Sequence, residues 1–335
     1  MEIFTFSKRA ARCCALFALA LLTGCFNNDP EQSFSTSVQG VYSADFSADG
    51  EHAAVGSIQH GGSLWRTEDA ERLYNWNHQS DQLSAITALA FSPDGQYVVT
   101  ADNNTLVLWE VDSGEALRFF ESPGEIRFID LTPSAERALL GMADNRSILF
   151  DIQQGGIKQQ VQHAADLIEQ TISADGTRAL ASLDNRTLSF WDLRDKETLE
   201  ILEVDGRVNT IALSHDGRFA FSPIQHRSAN IWDLDSKQIH SELRYNNKFF
   251  PSFSSFLTAR FYDDQDQLMT GNTTGAAELW DINTGRRLGR WVTPKSASFG
   301  PTNFSVVAVA KQDQSGRVIA MTSDGEAHLY SVASN

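Results

Sequence analysis

The chain contains eight histidines, the side chains best suited to holding a metal ion or moving a proton near neutral pH. None of them lies in an HxH or HExxH arrangement, the spacings that bring two imidazoles to one metal ion. They are His52, His60, His78, His163, His215, His226, His240 and His328. The histidine pattern therefore disfavours a metalloenzyme.

Carboxylates and nucleophiles also lack the patterns of a catalytic or metal site. Asp263, Asp264 and Asp266 have calcium-like spacing, but no glycine supports a ligating loop there, so we expect a solvated turn. The sequence contains no GxSxG elbow and no phosphate-binding loop. We therefore expect no metal, no cofactor and no catalytic residues.

Composition and charge narrow the possible partners. The 335 residues are 41% hydrophobic and carry 27 Lys and Arg against 43 Asp and Glu, a formal charge of −16. Such a chain can bury a large core, and its negative field repels nucleic acid and anionic lipid surfaces. We expect no nucleic-acid partner and a monomeric protein.

The N-terminus has the features of an export signal. Lys8, Arg9 and Arg12 precede an apolar run, Cys13 to Leu22, that is too short to cross a bilayer. The run ends in Leu22-Thr23-Gly24-Cys25, which resembles the bacterial lipobox. An ordinary cleaved signal is the alternative reading.

The lipobox resemblance implies cleavage before Cys25 and attachment of diacylglycerol to its thiol. Phe26 rather than Asp at the next position implies an outer-membrane address, with the protein facing the periplasm. Acylation at several positions, palmitate included, holds a protein on a membrane for long times. The resemblance divides the chain into a signal peptide (1–24), a lipidated cysteine with a short tether (25–31) and a folded domain (32–335).

A repeat of 41 to 50 residues runs through the rest of the chain. In each repeat an aromatic residue closes a predicted strand. An Asp follows the aromatic residue in four repeats, and a Ser-x-Asp-Gly turn precedes it at nearly constant spacing in four. The aromatic positions are Trp65, Trp109, Phe150, Trp191, Trp232, Trp280 and Tyr330, and the following acids include Asp151, Asp192, Asp233 and Asp281. The turns are Ser47–Gly50, Ser92–Gly95, Ser173–Gly176 and Ser214–Gly217.

These motifs resemble the WD40 family, which implies an all-β fold: a seven-bladed β-propeller of four-stranded antiparallel blades. Ile86 to Phe91, Gln96 to Ala101, Thr105 to Val111 and Glu115 to Phe120 read as the four strands of one blade. Too few residues follow Tyr330 for a fourth strand. We therefore predict that Gln32 to Val38 supplies the outer strand of the seventh blade.

WD40 repeats carry a buried network of His, Ser or Thr, Asp and Trp. The fourth unit comes nearest to it, with His163, Ser182, Asp184 or Asn185, and Trp191. Elsewhere Asn103, His226 or Thr274 lies near the acidic position, so the set is incomplete. We interpret His163 as a structural histidine.

The two longest repeats contain extra residues between the outer strand of one blade and the inner strand of the next. WD40-like rings place all such connections on one face, together with the turn that contains His226 and Arg227. We predict a partner-binding surface there because aromatic and basic residues concentrate binding energy; filling of the gap between blades is the alternative. The candidates are Arg227, Tyr245, Lys248, Phe249, Phe250, Phe253, Trp291 and Phe299.

Three functions are compatible with this reading. The favoured one is a membrane-anchored, non-catalytic platform that binds one or more envelope proteins. The second is a structural or assembly factor for outer-membrane proteins. The third is a propeller hydrolase or lyase, which needs clustered carboxylates or histidines at equivalent positions of neighbouring repeats; we identify no such cluster in the sequence.

Overall fold

The computed structural model describes residues 29–58, 60–79, 83–194, 199–224, 229–243, 255–262, 266–295 and 303–332. These residues form seven sheets, and each sheet contains four antiparallel strands. The seven-bladed propeller expected from the repeats is therefore confirmed. The strand bounds agree with the sequence reading of blade 2 to within two residues at each end.

Consecutive strands build six of the blades, each from its inner to its outer strand. Blades 1 and 2 contain β2–β5 (Val41–Phe46, His52–Ser57, Gly61–Arg66, Glu71–Trp76) and β6–β9 (Ala88–Phe91, Tyr97–Ala101, Thr105–Glu110, Ala116–Glu121). Blades 3 and 4 contain β10–β13 (Ile126–Leu131, Arg137–Met142, Arg146–Asp151, Ile157–Gln162) and β14–β17 (Leu167–Ile172, Arg178–Leu183, Thr187–Asp192, Leu199–Glu203). Blades 5 and 6 contain β18–β21 (Ala212–Leu213, Phe219–Pro223, Ala229–Asp233, Gln238–Glu242) and β22–β25 (Phe256–Tyr262, Gln267–Asn272, Ala276–Asp281, Arg287–Val292).

Blade 7 joins the two ends of the described chain. It contains β26–β28 (Val306–Lys311, Val318–Thr322, Glu326–Tyr330), and β1 (Gln32–Ser35) is its outer strand. Gln32 pairs with Leu329 and Ser35 with Glu326 in an antiparallel register. The predicted ring closure is confirmed, with a shorter strand than Gln32 to Val38.

The Ser-x-Asp-Gly turns connect inner strands to second strands as expected. In the first of them Ser47 Oγ donates to Asp49 Oδ1 at 2.5 Å, and the same oxygen accepts from the Glu51 amide at 3.0 Å. Gly50 has a φ of +69°, and a Cβ there would lie 2.9 Å from the Lys311 carbonyl oxygen. Glycine is therefore required both by the backbone conformation and by the close approach of blade 7.

Apolar side chains on both faces of each sheet are buried against the neighbouring blades, which no isolated four-stranded sheet could achieve. Val55 of blade 1, for example, packs in one cluster with Ile319 and Leu329 of blade 7, and all three are fully buried. Most repeat aromatics are buried as predicted, whereas Trp65 and Trp232 are half-buried. Within the described ranges, no helix is long and apolar enough to cross a membrane.

Candidate functional site

The propeller has two faces with different chain connections. We define the lower face by the turns after each inner strand and after each third strand. The upper face carries the turns between second and third strands and the connections that lead to the next blade. The start of β1 lies at the lower end of blade 7, and Thr36, just after β1, donates its amide to Gly325 O in an upper turn at 2.7 Å.

Both long connections attach to the same upper turn of blade 6. The Ser255 amide, at the end of the first, donates to Thr273 Oγ1 at 3.0 Å, and Thr273 N donates to Ser255 O at 2.9 Å. Asn303, at the end of the second, donates from Nδ2 to Thr274 O at 2.9 Å. The sequence expectation that the two insertions are neighbours therefore holds for their described ends.

One of the eight candidate partner-binding residues lies in the described part of the chain. Trp291 belongs to β25, is 8% exposed, and donates from Nε1 to Ser331 O at 3.3 Å. This corrects its assignment to a surface loop, because its ring packs with core residues of blades 6 and 7. The other candidates lie outside the described residues, as does Cys25: Arg227, Tyr245, Lys248, Phe249, Phe250, Phe253 and Phe299.

Blade 2 contains a complete His, Thr, Asp and Trp network that the sequence analysis missed. Trp109 donates from Nε1 to Thr100 Oγ1 at 2.8 Å, and Thr100 Oγ1 lies 2.8 Å from His78 Nε2. His78 Nδ1 lies 2.6 Å from Thr105 Oγ1 and 3.4 Å from Asp102 Oδ2. These partners assign a neutral imidazole whose Nδ1–H donates and whose Nε2 accepts. Burial lowers the pKa of His78, while the Asp102 charge opposes that shift.

The network predicted in blade 4 does not form. His163 Nε2 lies 2.8 Å from Ser147 Oγ, which in turn donates to Gln170 Oε1 at 2.6 Å. The predicted partner Ser182 is buried, and its hydroxyl makes no hydrogen bond within the described residues. His163 does lie against Trp191, with ring centroids 5.8 Å apart. Burial lowers the pKa of His163 to about 4, so it is neutral, in keeping with the structural role expected from the sequence.

In blades 3 to 6 the Asp that follows the repeat aromatic caps a lower turn. Asp151 Oδ1 accepts the amides of Gln153 and Gln154 at 3.0 and 2.8 Å, and Asp233 and Asp281 accept amides in the same way. Asp192 Oδ1 accepts the Arg194 amide at 2.7 Å. These carboxylates are therefore part of the scaffold, since each fixes a tight turn by local hydrogen bonds.

The inner strands surround a central channel with a cavity of 780 Å³ toward the lower face. Asp45 and Asp130 occupy equivalent positions in the inner strands of blades 1 and 3, whereas blade 2 between them has Ala90 at that position. Each accepts the amide of an inner strand in the next blade: Asp45 Oδ2 from Phe91 at 3.0 Å, and Asp130 Oδ2 from Ile172 at 2.9 Å. The two carboxylates thus join neighbouring blades.

Arg260 of blade 6 extends past blade 7 to blade 1. Its Nη2 lies 2.6 Å from Asp45 Oδ1 and donates to Phe46 O at 2.8 Å, and its Nη1 donates to Ser47 O at 3.0 Å. A quarter of each charged side chain is accessible in this pair. The guanidinium therefore links blade 6 to blade 1 across the channel.

Glu169 of blade 4 is a third acid of the channel wall and is half-buried. Its Oε2 accepts the Ile211 amide of blade 5 at 3.1 Å. Burial, followed by the charge of Asp130, raises the pKa of Glu169 to about 8, and burial raises the pKa of Asp130 to about 6. In the described residues, no three His, Cys, Asp or Glu side chains come together as a metal-binding group. Asp45, Asp130 and Glu169 each accept a backbone amide of the next blade, so these acids link neighbouring blades.

Known proteins resemble this chain over parts of its length. The family model described as WD domain, G-beta repeat, matches residues 72–110, the segment that contains the complete blade 2 network. Angio-associated migratory cell protein of Homo sapiens is 27% identical over 141 residues, which are 42% of this chain and 32% of that protein. An uncharacterized WD repeat-containing protein of Deinococcus radiodurans is 42% identical over 60 residues, 17% of this chain and 23% of that protein.

U3 small nucleolar RNA-associated protein 12 of Saccharomyces cerevisiae is 23% identical over 120 residues, 35% of this chain and 13% of that protein. The matched segment thus spans about a third of the human relative and less of the other two. WD40 repeat proteins are generally non-catalytic scaffolds for protein interactions. The repeat match in blade 2 and the WD-repeat relatives support a WD40 propeller for this chain.

Proposed function

We propose that the protein is a membrane-anchored, non-catalytic interaction platform of the bacterial cell envelope. Cys25 carries the lipid, the Phe26 that follows directs the protein to the outer membrane, and the propeller faces the periplasm. The partner is one or more envelope proteins. The lipobox-like sequence Leu22 to Cys25 supports the anchor, and the WD40 propeller supports the scaffold role.

The upper end of blade 6 is the observation that carries the platform assignment. Two connections that are longer than those of the other repeats converge on its turn, Asn272–Gly275, through backbone and side-chain hydrogen bonds. Long connections on a rigid scaffold are where proteins place binding residues, because the scaffold fixes their ends at little cost to stability. We assign the partner-binding surface to this end of the propeller.

The anchor is tested with Cys25→Ser. Without the thiol the protein cannot receive diacylglycerol, so we expect soluble release or stalled processing. Detergent-phase partitioning of the parent and the variant measures this. Partitioning of Cys25→Ser that equals the parent's would contradict the anchor.

The interaction role is tested by chemical cross-linking of the native lipoprotein in membranes, followed by mass spectrometry. We expect one abundant partner, absent when Cys25→Ser is cross-linked in the same cells. Broad adducts with many barrel proteins would favour an assembly factor instead. A complete lack of adducts at full cross-linker reactivity would contradict the platform.

A further inference from the structure

The chain enters the propeller at one defined point, the lower end of blade 7. Gln32 pairs with Leu329, and the Glu31 amide donates to Leu329 O at 2.7 Å. From there β1 runs upward along the outside of the blade. The segment that precedes the propeller therefore leaves from the lower face.

Two lengths restrict how the propeller can sit on an anchoring membrane. Four residue steps lead from the lipidated Cys25 to Asp29, the first described residue; fully extended they span about 13 Å. The six-residue strands of the blades, such as β4 (Gly61–Arg66), rise about 17 Å, and the turns at their ends bring the height between the two faces to roughly 20 Å. The tether is shorter than the blade.

These lengths exclude an arrangement in which the upper face lies on the lipid. That arrangement would lift Asp29, whose charge acts on Tyr330 at the lower end of β28, about 20 Å above the headgroups, beyond the reach of the four steps from Cys25. The lower face stays near the membrane, but Asp49, Asp94, Asp175 and Asp216 in its turns repel anionic headgroups. Val38 lies at the upper end of blade 7 and is 86% exposed.

We infer that the upper face is directed away from the anchoring membrane and binds a protein domain that reaches it from the aqueous side. This inference rests on the anchor at Cys25 and adds the orientation that the proposed function leaves open. The partner must extend roughly 20 Å beyond the headgroups, because the upper face stands that far above the tether. A lipid surface cannot be the ligand of this face.

The test uses two single-cysteine variants of the processed lipoprotein, Val38→Cys at the upper end of blade 7 and Gln314→Cys at its lower end. Both positions are exposed, and a mature chain that begins at the lipidated Cys25 has no other free thiol. Each variant is labelled with a fluorophore and reconstituted in vesicles of phosphatidylethanolamine and phosphatidylglycerol that contain a headgroup energy acceptor. We expect at least twofold stronger energy transfer from position 314 than from position 38.

The outcomes separate the orientation from the anchor. Failure to co-sediment with the vesicles would overturn both the anchor and the inference. Co-sedimentation with equal transfer from the two positions would mean that the propeller lies on its rim, and stronger transfer from position 38 would mean that it is inverted. Either result overturns the orientation and leaves the anchor in place.

Discussion

Blades 2 and 4 have the same motif but use it differently. Thr100, Asp102 and Trp109 have the same spacing as Ser182, Asp184 and Trp191. In blade 2 the Trp donates to the Thr hydroxyl, which also bonds a histidine. Trp109 pairs with Val98 and Trp191 with Ala179, so the position two residues further along is Thr100 in blade 2 but Ala181 in blade 4. The Ser182 hydroxyl is buried without a partner in the described chain.

The strand register and the length of the connection before each blade together account for the difference. His78 lies ten positions before the start of β6, so the chain can place the imidazole over blade 2. His163 lies four positions before the start of β14, and its amide donates to Asn145 O of blade 3 at 3.0 Å. His163 therefore bonds back to blade 3 rather than forward to blade 4. A motif spacing within a blade is thus insufficient to define a network that includes the preceding connection.

The largest effect is expected in a third region, blade 7, because its fourth strand comes from the other end of the chain. Deletion of residues 32–38 should leave the outer edge of β28 unpaired and lower the unfolding free energy by several kcal/mol, more than any substitution in blades 2 or 4. Thermal melting measures the loss, with Val38→Ser as the exposed control. An unchanged melting curve after the deletion would contradict the importance of this pairing.

Next in size are the aromatic truncations in the two blades. Trp109→Ala and Trp191→Ala should each lower the unfolding free energy by about 3 to 5 kcal/mol, because both rings are at least nine-tenths buried. Trp109→Ala should be the more damaging of the two, since it also removes a donor to Thr100. Urea unfolding measures both. Equal losses would mean that the hydrogen bond in blade 2 contributes little.

Substitutions of the two hydroxyl residues, Thr100 and Ser182, should distinguish blade 2 from blade 4 more clearly than the tryptophan truncations do. Thr100→Val keeps the shape of the side chain but leaves the indole N–H and the His78 ring without their partner, at a cost of about 1 to 3 kcal/mol. Ser182→Ala removes a hydroxyl that has no partner, so its effect should be close to zero or stabilising. The same urea titration compares them. A larger loss for Ser182→Ala would contradict the networks described above.

The smallest expected effect is a pH dependence that originates in blade 4. Glu169 has a raised pKa in the fold, about 8, and the unfolded chain releases that proton near pH 4. The folded state therefore binds more protons between these values, and stability falls as the pH rises through this window. Blade 2 has Ala88 at the position of Glu169, so it contributes no such loss of stability with rising pH.

Glu169→Gln should flatten the decline of the melting temperature from pH 5 to 8 by a few degrees. The exposed Glu203→Gln variant in the same blade should leave the decline unchanged. If the melting temperature of Glu169→Gln fell as steeply with pH as that of the parent, the Glu169 carboxyl would not be the source of the pH dependence.

The repeat architecture could be predicted because each blade contains its own periodic signal. Aromatic spacing and Ser-x-Asp-Gly turns depend on residues within one repeat, and the lack of a fourth strand after Tyr330 pointed to closure by the N-terminus. The channel acids could not be predicted, because Asp45 and Asp130 bond strands of the next blade. The sequence analysis missed His78 because this residue lies ten positions before the inner strand of its blade, whereas His163 lies only four positions before the inner strand of blade 4.

The interaction platform predicts that contact with a partner is confined to the upper face. Thr274 and Thr284 form a matched pair for testing this, since both are exposed turn residues of blade 6, at its upper and lower ends respectively. Single-cysteine variants at the two positions can carry the same benzophenone photo-cross-linker in native membranes. The account predicts one abundant protein adduct from position 274 and none from position 284; an adduct from position 284 alone, or none from either, would contradict it.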